Sequence, residues 1–345
     1  MLTIDADAHV IETERTWDYL EGNDRRYRPV PITVDMPSGK TRNFWIIDGR
    51  LVGGRDNIGK ETPKDAREMA DIEARLRHMD EIGTDVQVLY PTLFLRPVTD
   101  RAEVEFALCR SYNRWLADIW AQGKGRLRWA VQLPLLTMDK ALDELRWAHG
   151  HGACAVFVRG MEPRGPLHDP YFFPLYDEAR RLDMPIGIHS GVGSFSVVEA
   201  FGADDTFRTA KLVVIGAFHA MIMKGIPERF PRLRIGAIEV AAQWVPYLIH
   251  DLNLRLPKFL GKEARPDLLC TGQLFVACQT DDDLPYVLKY SGEDSLMIGS
   301  DYGHADNASE LLALRRLKEK GELDPKVVDK ILCANPARFY GLASD

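Results

Sequence analysis

The chain has 345 residues, of which 46% are hydrophobic and 28% are charged, and its formal net charge at pH 7 is −7. This composition supports a large core and a polar surface, while the mixed charges argue against nucleic-acid binding, which depends on clustered Lys and Arg. No apolar run reaches the roughly 18 residues of a membrane span, and the N-terminus lacks the basic segment of a secretory signal. Five scattered cysteines without a CxxC pair fit free thiols in a reducing compartment. We therefore expect a cytoplasmic protein that binds neither nucleic acid nor membranes.

Short apolar runs recur along the chain, and each is followed by a turn signal and an amphipathic stretch. Such continuous runs are typical of parallel strands that are buried on both faces. The predicted strands are Leu2–Val10, Asp85–Thr92, Leu127–Leu135, Ala153–Arg159, Pro185–Ser190, Leu233–Val240, Leu274–Thr280 and Leu296–Asp301. The predicted helices between and after them are Ala102–Gln122, Met138–His149, Tyr171–Leu182, Thr209–Arg229, Trp244–Phe259, Leu284–Tyr290, Ala308–Lys320 and Pro325–Tyr340. Eightfold strand–helix alternation predicts a single (β/α)8 barrel over residues 1–345.

The connection between the first and second strands is the irregular one, with about seventy residues. Within it, Pro31–Met36 and Asn43–Ile47 flank a turn sequence and predict a hairpin, and Lys64–Ile82 predicts a helix that leads back to the barrel. Loops of this length are usually functional or disordered. We predict that residues 22–64 form a cap over the mouth of the barrel.

Metal-capable side chains occur at the predicted strand tips, where the active sites of barrels lie. In the first strand, alternation places Asp5, Asp7 and His9 on one face. The fifth strand ends at His189, the sixth at Glu239, and the eighth at Asp301 with His304 close behind. Imidazole nitrogen and carboxylate oxygen together suit Zn²⁺ or Mn²⁺. The joint occurrence predicts one divalent metal ion at the mouth, although each residue alone could be a structural partner or a helix cap.

At these residues the chain resembles the amidohydrolase superfamily, and within it the second amidohydrolase group. The resemblance covers essentially the whole chain. The motifs that carry it are Asp7-x-His9-x-x-Glu12, His189-Ser-Gly, Phe230-Pro-Arg-Leu-Arg-Ile, Glu239-x-x-x-Gln-Trp244-x-Pro246, Gly299-Ser-Asp301-Tyr and Asn335-Pro-Ala-Arg338-x-Tyr-Gly-Leu. The group includes aminocarboxymuconate-semialdehyde, γ-resorcylate and 5-carboxyvanillate decarboxylases.

The resemblance implies a metal ion held by Asp7, His9, His189 and Asp301, and a possible homodimer. It also implies an enzyme that acts on a small carboxylated substrate, with aromatic acids among the candidates. Decarboxylation is favoured over hydrolysis with a metal-activated water and over hydration, although the same metal site serves all three reactions. The chain departs from the pattern at Glu239, where the decarboxylases carry His, and this departure leaves the reaction type open.

Three residues near the predicted metal site could take part in proton transfer. Glu239 is a candidate acid or base, although it could instead orient a neighbour such as Trp244 or His304, or bind the metal. For Asp301, proton transfer is expected in addition to metal binding. His304 could either act on substrate or hydrogen-bond its own loop.

Two further residues lie close to the predicted strand tips. Arg159, at the end of the fourth strand, could bind a substrate carboxylate or form a salt bridge between loops. Glu12 follows His9 by three residues, and we expect it to have a structural role near the site.

Overall fold

The structure is a computed structural model that describes residues 2–37, 39, 41–53, 57–202 and 206–342. Its centre is a sheet of eight parallel strands in sequential order. We number them β1 (Ile4–His9), β2 (Val86–Tyr90), β3 (Leu127–Gln132), β4 (Ala153–Arg159), β5 (Ile186–His189), β6 (Ile235–Ile238), β7 (Leu274–Cys278) and β8 (Leu296–Ile298). Each strand lies within its predicted run, and all strand residues except the half-buried Arg128 are buried, because helices cover the outer faces of the strands. The predicted (β/α)8 barrel is confirmed.

The barrel closes between the tips of β8 and β1. The Asp301 amide donates to the Asp7 carbonyl at 2.9 Å, and the His9 amide donates to the Tyr302 carbonyl at 2.8 Å. Below these bonds the Asp5 carboxylate accepts hydrogen bonds from both the amide and the hydroxyl of Ser300. The Asp5 side chain therefore completes the closure of the barrel where few backbone hydrogen bonds join β8 to β1. It also holds together the two strand tips that carry candidate metal ligands.

The helices follow the predicted alternation. They are α1 (Lys64–Arg67), α2 (Ile72–Ile82), α3 (Ala102–Gln122), α4 (Met138–His149), α5 (Phe173–Arg181), α6 (Phe195–Phe201), α7 (Val213–Met223), α8 (Ile226–Arg229), α9 (Val245–Leu260), α10 (Leu284–Ser291), α11 (Ala313–Lys320), α12 (Pro325–Asp329) and α13 (Asn335–Tyr340). Wider π-helical turns, Phe207–Leu212 and Lys330–Ala334, precede α7 and join α12 to α13. Within the described residues, no helix has the length and apolar character that crossing a membrane requires.

Two predicted helices are each divided into shorter ones. The single helix predicted over Lys64–Ile82 is interrupted at Met69, which has a left-handed backbone with φ of 52°. Asp71 then begins α2 by accepting a hydrogen bond from the Ala74 amide, and such an N-cap starts a new helix instead of continuing the old one. The helix predicted over Thr209–Arg229 is similarly divided at Gly225, whose φ is 72°.

The long connection after β1 contains an antiparallel sheet of three strands, Val30–Asp35, Thr41–Ile47 and Arg50–Gly53. The predicted hairpin is its first pair, and the third strand was not predicted. Trp45 is buried on the inner side of this sheet, with its ring 6.0 Å from that of Trp17 in an edge-to-face contact. The packing anchors the sheet to the segment that directly follows β1.

Candidate metal centre

Six metal-capable side chains converge at the C-terminal tips of the barrel strands, and all are buried: Asp7, His9, His189, Glu239, Asp301 and His304. Glu239 and Asp301 follow their strands in the left-handed backbone region, with φ of 60° and 52°. Residues other than Gly rarely adopt this region, and such conformations cluster at functional sites. Here the turns direct two carboxylates to the mouth of the barrel.

The distances between donor atoms are short. Nε2 of His9 lies 3.4 Å from Oδ1 of Asp7, 3.4 Å from Oδ1 of Asp301 and 3.8 Å from Oε2 of Glu239. Nε2 of His189 lies 3.1 Å from the same Asp7 oxygen, and its Nδ1 lies 3.4 Å from the Glu239 oxygen. Two imidazoles therefore face three carboxylates.

A hydrogen bond at Nδ1 of each ring fixes which nitrogen carries the proton. Nδ1 of His9 lies 2.9 Å from the Pro91 carbonyl, and Nδ1 of His189 lies 2.8 Å from the Ser190 carbonyl. A carbonyl only accepts, so each Nδ1 donates, and a neutral ring then presents a lone pair at Nε2. Both lone pairs face carboxylate oxygens, and neither His9 Nε2 nor Glu239 Oε2 has a hydrogen-bond partner among the described residues. These donors fit a cation placed among them.

Burial and the neighbouring charges shift the pKa values of the cluster. Burial raises the pKa of Glu239 well above its ordinary value, and the Asp301 and Asp7 charges raise it further. Burial also lowers the pKa of His9 to about 4, which favours the neutral, metal-binding form of the ring. For Asp7, burial would raise the pKa, but His189 and His9 outweigh burial and lower it. A divalent cation bound among these carboxylates would offset their mutual repulsion, because its positive charge would be the largest charge in the site.

His304 belongs to the same cluster but is held differently. Its Nδ1 lies 2.7 Å from Oδ1 of Asp301, and its Nε2 lies 2.9 Å from the hydroxyl of Thr92. That hydroxyl donates its one proton to the Val10 carbonyl at 2.7 Å, so Nε2 of His304 must be the donor to Thr92. Burial lowers the pKa of His304, but the adjacent Asp301 carboxylate outweighs burial and raises it. Both ring nitrogens are thus engaged as donors, and neither offers a lone pair to a metal.

Glu12 and Arg159 have their partners inside the protein. The Glu12 carboxylate accepts hydrogen bonds from the amides of Thr92 and Leu93 and so shapes the loop after β2. Arg159 forms a buried ion pair with Glu162 at 2.5 Å, and it also donates to the carbonyls of Phe94 and Arg96. The Arg159 side chain therefore forms a salt bridge, which was one of its two predicted roles, and we do not propose that it binds a substrate carboxylate.

Trp244 and His219 have partners that do not involve Glu239. The indole N–H of Trp244 donates to the carbonyls of Val240 and Ala241, so orienting Trp244 is not what the Glu239 carboxylate does here. His219, on α7, pairs with Asp251 on α9. This histidine has a structural partner, as its position within a predicted helix indicates.

A cavity of about 170 Å³ opens beside the cluster and is lined by Glu239 and His304. Arg42, from the three-stranded sheet, and Arg96, from the loop after β2, lie on its wall together with Asn57. Asn57 donates to Asp306 at 2.7 Å, which ties the end of the insertion to the loop after β8. Residues of the 22–64 segment thus border the same space as the cluster, where a cap was predicted. A larger cavity of about 590 Å³, around Tyr19 and Trp115, does not include the cluster.

The sequence alone did not indicate Arg42, Arg96 or Thr92 as residues of the site, because their approach depends on loop paths between distant segments. It also did not indicate a role for Gly299, which lies just before the Ser300-Asp301 tip. A Cβ atom at Gly299 would lie 2.3 Å from Cβ of Asp7, so only glycine lets the two tips approach this closely. The one signal for this residue in the sequence was its place in the Gly299-Ser-Asp301 motif.

Replacing Gly299 with alanine is expected to lower both thermal stability and metal content, because the new methyl group pushes Asp7 away from its neighbours. Gly216→Ala is the matched control, since a Cβ there meets no atom within 4 Å and alanine in a helix is favoured over glycine by about 1 kcal/mol. Thermal melts and metal analysis of both variants test this. Equal behaviour of the two proteins would contradict the close packing at Asp7.

Comparison with known proteins agrees with this architecture. An amidohydrolase family model matches residues 4–342. The chain is 21% identical over 292 residues to 2-amino-3-carboxymuconate-6-semialdehyde decarboxylase from Dictyostelium discoideum, covering 79% of this chain and 77% of that protein. The chain therefore belongs to the amidohydrolase family, and it is an enzyme of the amidohydrolase superfamily.

Solved structures share the fold at low sequence identity. An amidohydrolase from Mycobacterium avium subsp. paratuberculosis superposes with a TM-score of 0.79 and 19% identity, over 99% of this chain and 98% of that one. A 5-carboxyvanillate decarboxylase from Novosphingobium aromaticivorans, complexed with manganese and 4-hydroxy-3-methoxy-5-nitrobenzoic acid, superposes with a TM-score of 0.66 and 19% identity. That match covers 81% of this chain and 85% of the other.

Proposed function

We propose that this protein is a metal-dependent decarboxylase that acts on a small carboxylated molecule, with aromatic acids among the candidate substrates. The observation that carries the proposal is a cavity whose lining combines residues of the metal-capable cluster with arginine side chains. Glu239 and His304 of the metal-capable cluster line this cavity, and so do Arg42 and Arg96. The curated relative, which is itself a decarboxylase, supports the same reaction class.

In this proposal Asp7, His9, His189 and Asp301 hold one divalent ion, either Mn²⁺ or Zn²⁺. When bound, the ion supplies Lewis-acid polarisation of a substrate oxygen. The donor set supports this, because the buried imidazole lone pairs lie within 3.4 Å of carboxylate oxygens.

The protein's own residues then bind substrate and handle the proton. Arginine side chains recognise carboxylates through paired N–H donors, so Arg42 and Arg96 are the groups we assign to orient a substrate carboxylate in this cavity. Decarboxylation breaks the bond between a substrate carbon and its carboxylate, leaves the electron pair on that carbon, and requires one proton there. His304 lines the cavity and carries protons on both nitrogens, and Asp301 holds its ring at 2.7 Å. We assign His304 as the proton donor to that carbon and Asp301 as the carboxylate that orients its ring and stabilises its charged form. Water then reprotonates His304 after CO₂ leaves.

Release of CO₂ from a substrate panel tests the proposed reaction. The manganese-loaded protein is incubated with 5-carboxyvanillate, 2,6-dihydroxybenzoate, and ester and amide controls, and CO₂ is measured together with the organic product. We expect one CO₂ per molecule of carboxylated substrate consumed. Hydrolysis of the esters or amides without CO₂ release from any acid would overturn the decarboxylase proposal in favour of a hydrolase.

A further inference from the structure

We propose that Glu239 is a fifth protein ligand of the metal ion and not only a neighbouring acid or base. The proposal rests on the metal site proposed above and concerns the residue at which this chain departs from the decarboxylases that it resembles. It would give the ion three carboxylates and two imidazoles as protein donors.

The position of Glu239 relative to the other donors is the first argument. Two groups of four metal-capable residues occur here, each with its donor atoms within 4.8 Å of one another. One contains Asp7 and His189, the other contains Asp301 and His304, and both contain His9 and Glu239. Glu239 therefore lies centrally, between the carboxylates of the β1 and β8 tips.

The second argument is that the two groups describe one ion. His304 is excluded from the second group as a ligand because its nitrogens donate to Asp301 and Thr92. The donors that remain surround His9 Nε2 and Glu239 Oε2, which are the two atoms of the cluster that are buried without a hydrogen-bond partner among the described residues. An unpartnered buried carboxylate oxygen is costly, and a cation shared with His9 satisfies both atoms.

The backbone supplies the third argument. Glu239 has φ of 60°, directly after the last residue of β6, and the residue is only 8% exposed. A left-handed turn that brings an acid into a buried cluster is maintained by the surrounding structure. Ligation of the metal ion would give Glu239 Oε2 a stabilising partner, which no described residue provides.

Five protein donors have a consequence for metal choice. Zn²⁺ is almost always served by four ligands in a tetrahedral arrangement, whereas Mn²⁺ accepts carboxylate-rich sites with octahedral geometry. One position of an octahedral shell then remains for substrate. Loss of Glu239 should therefore weaken Mn²⁺ binding more than Zn²⁺ binding.

The test is Mn²⁺ and Zn²⁺ titration of the chelator-treated full chain, with free Mn²⁺ measured by electron paramagnetic resonance. The variants are Glu239→Gln, which removes the charge, and Glu239→Asp, which keeps the charge but withdraws it by one methylene. Asp306→Asn is the electrostatic control, because Asp306 is exposed and its charge acts on Glu239 without belonging to the cluster. His189→Ala tests the underlying metal site.

We expect both Glu239 variants to lower Mn²⁺ affinity by at least about tenfold, since removing even an outer partner of a metal ligand costs 10–100-fold. Asp306→Asn should change it by less than about fivefold, as expected for an exposed charge. Without metal, Glu239→Gln should melt at a higher temperature than the wild type, because it removes one of three crowded carboxylates. A residue with a merely structural role would instead lower the melting temperature.

Three results would overturn the inference, and they separate it from the proposed function. If Glu239→Asp binds Mn²⁺ as tightly as wild type while Glu239→Gln does not, the side chain acts by charge alone. If both bind normally and His189→Ala does not, Glu239 is no ligand but the proposed metal site stands. If His189→Ala also binds normally, the metal site itself is wrong.

Discussion

Replacing His189 with alanine is expected to reduce bound metal to well below one ion per chain and to abolish turnover. The ring lies at the tip of β5 with Nδ1 fixed by the Ser190 carbonyl, so Nε2 offers its lone pair toward Asp7. Losing this ligand should weaken Mn²⁺ binding by at least about 100-fold. Losing only a residue that hydrogen-bonds to a metal ligand already weakens binding by up to about 100-fold. Metal analysis of the purified, dialysed variant measures the effect.

His219→Ala is the matched control for this variant. His219 is also a histidine with a carboxylate partner, Asp251 at 3.0 Å, but it lies on α7 outside the cluster. It should keep full metal and turnover. Full metal occupancy in His189→Ala would remove this residue from the ligand set and would show that the cluster is not held together by a cation.

Replacing His304 with glutamine is expected to lower kcat by about 10²–10⁴-fold, the usual contribution of general acid–base catalysis, while the variant still binds one ion at saturating Mn²⁺, where even a roughly 10–100-fold lower affinity from losing the partner of Asp301 does not empty the site. Turnover and metal binding should respond differently because His304 donates to Asp301 and Thr92 and offers no lone pair to an ion. Turnover on whichever panel substrate releases CO₂, measured beside metal analysis, tests both halves of this prediction.

His78→Gln controls for the loss of a buried imidazole near the same tips. His78 forms a 2.7 Å hydrogen bond with the Tyr302 hydroxyl but does not line the cavity. Its variant should retain kcat within a few-fold of wild type, as substitutions outside the catalytic groups usually do. Failure of His304→Gln to bind metal at saturating Mn²⁺ would contradict the donor assignment, and an unchanged kcat would remove His304 from proton transfer.

The barrel and the candidate ligands could be predicted from the sequence because both follow from local patterns. Asp7 and His9 share a face through strand alternation, and His189 ends a buried run, so their positions require only the knowledge that parallel strand tips meet at one end. The break in the helix at Met69 was not predicted because helix propensity continues through this position. The N-cap at Asp71 overrides that propensity only in the folded chain.

Contacts between distant segments could not be predicted from the sequence. Arg42 and Arg96 reach one cavity through two separate segments, and no periodicity marks their approach. Arg159 was a candidate for substrate binding because it ends a strand, but Glu162, three residues later, pairs with it. That pairing depends on a tight turn after β4 that a strand-end pattern does not encode.

Anomalous diffraction from crystals of the manganese-loaded protein tests most directly whether one ion joins the strand tips. We expect a single manganese peak at the mouth of the barrel, within bonding distance of Asp7, His9, His189 and Asp301, with Glu239 among its ligands if the further inference holds. Manganese bound elsewhere on the protein, or its absence from this cluster at saturating concentration, would contradict the proposed metal centre.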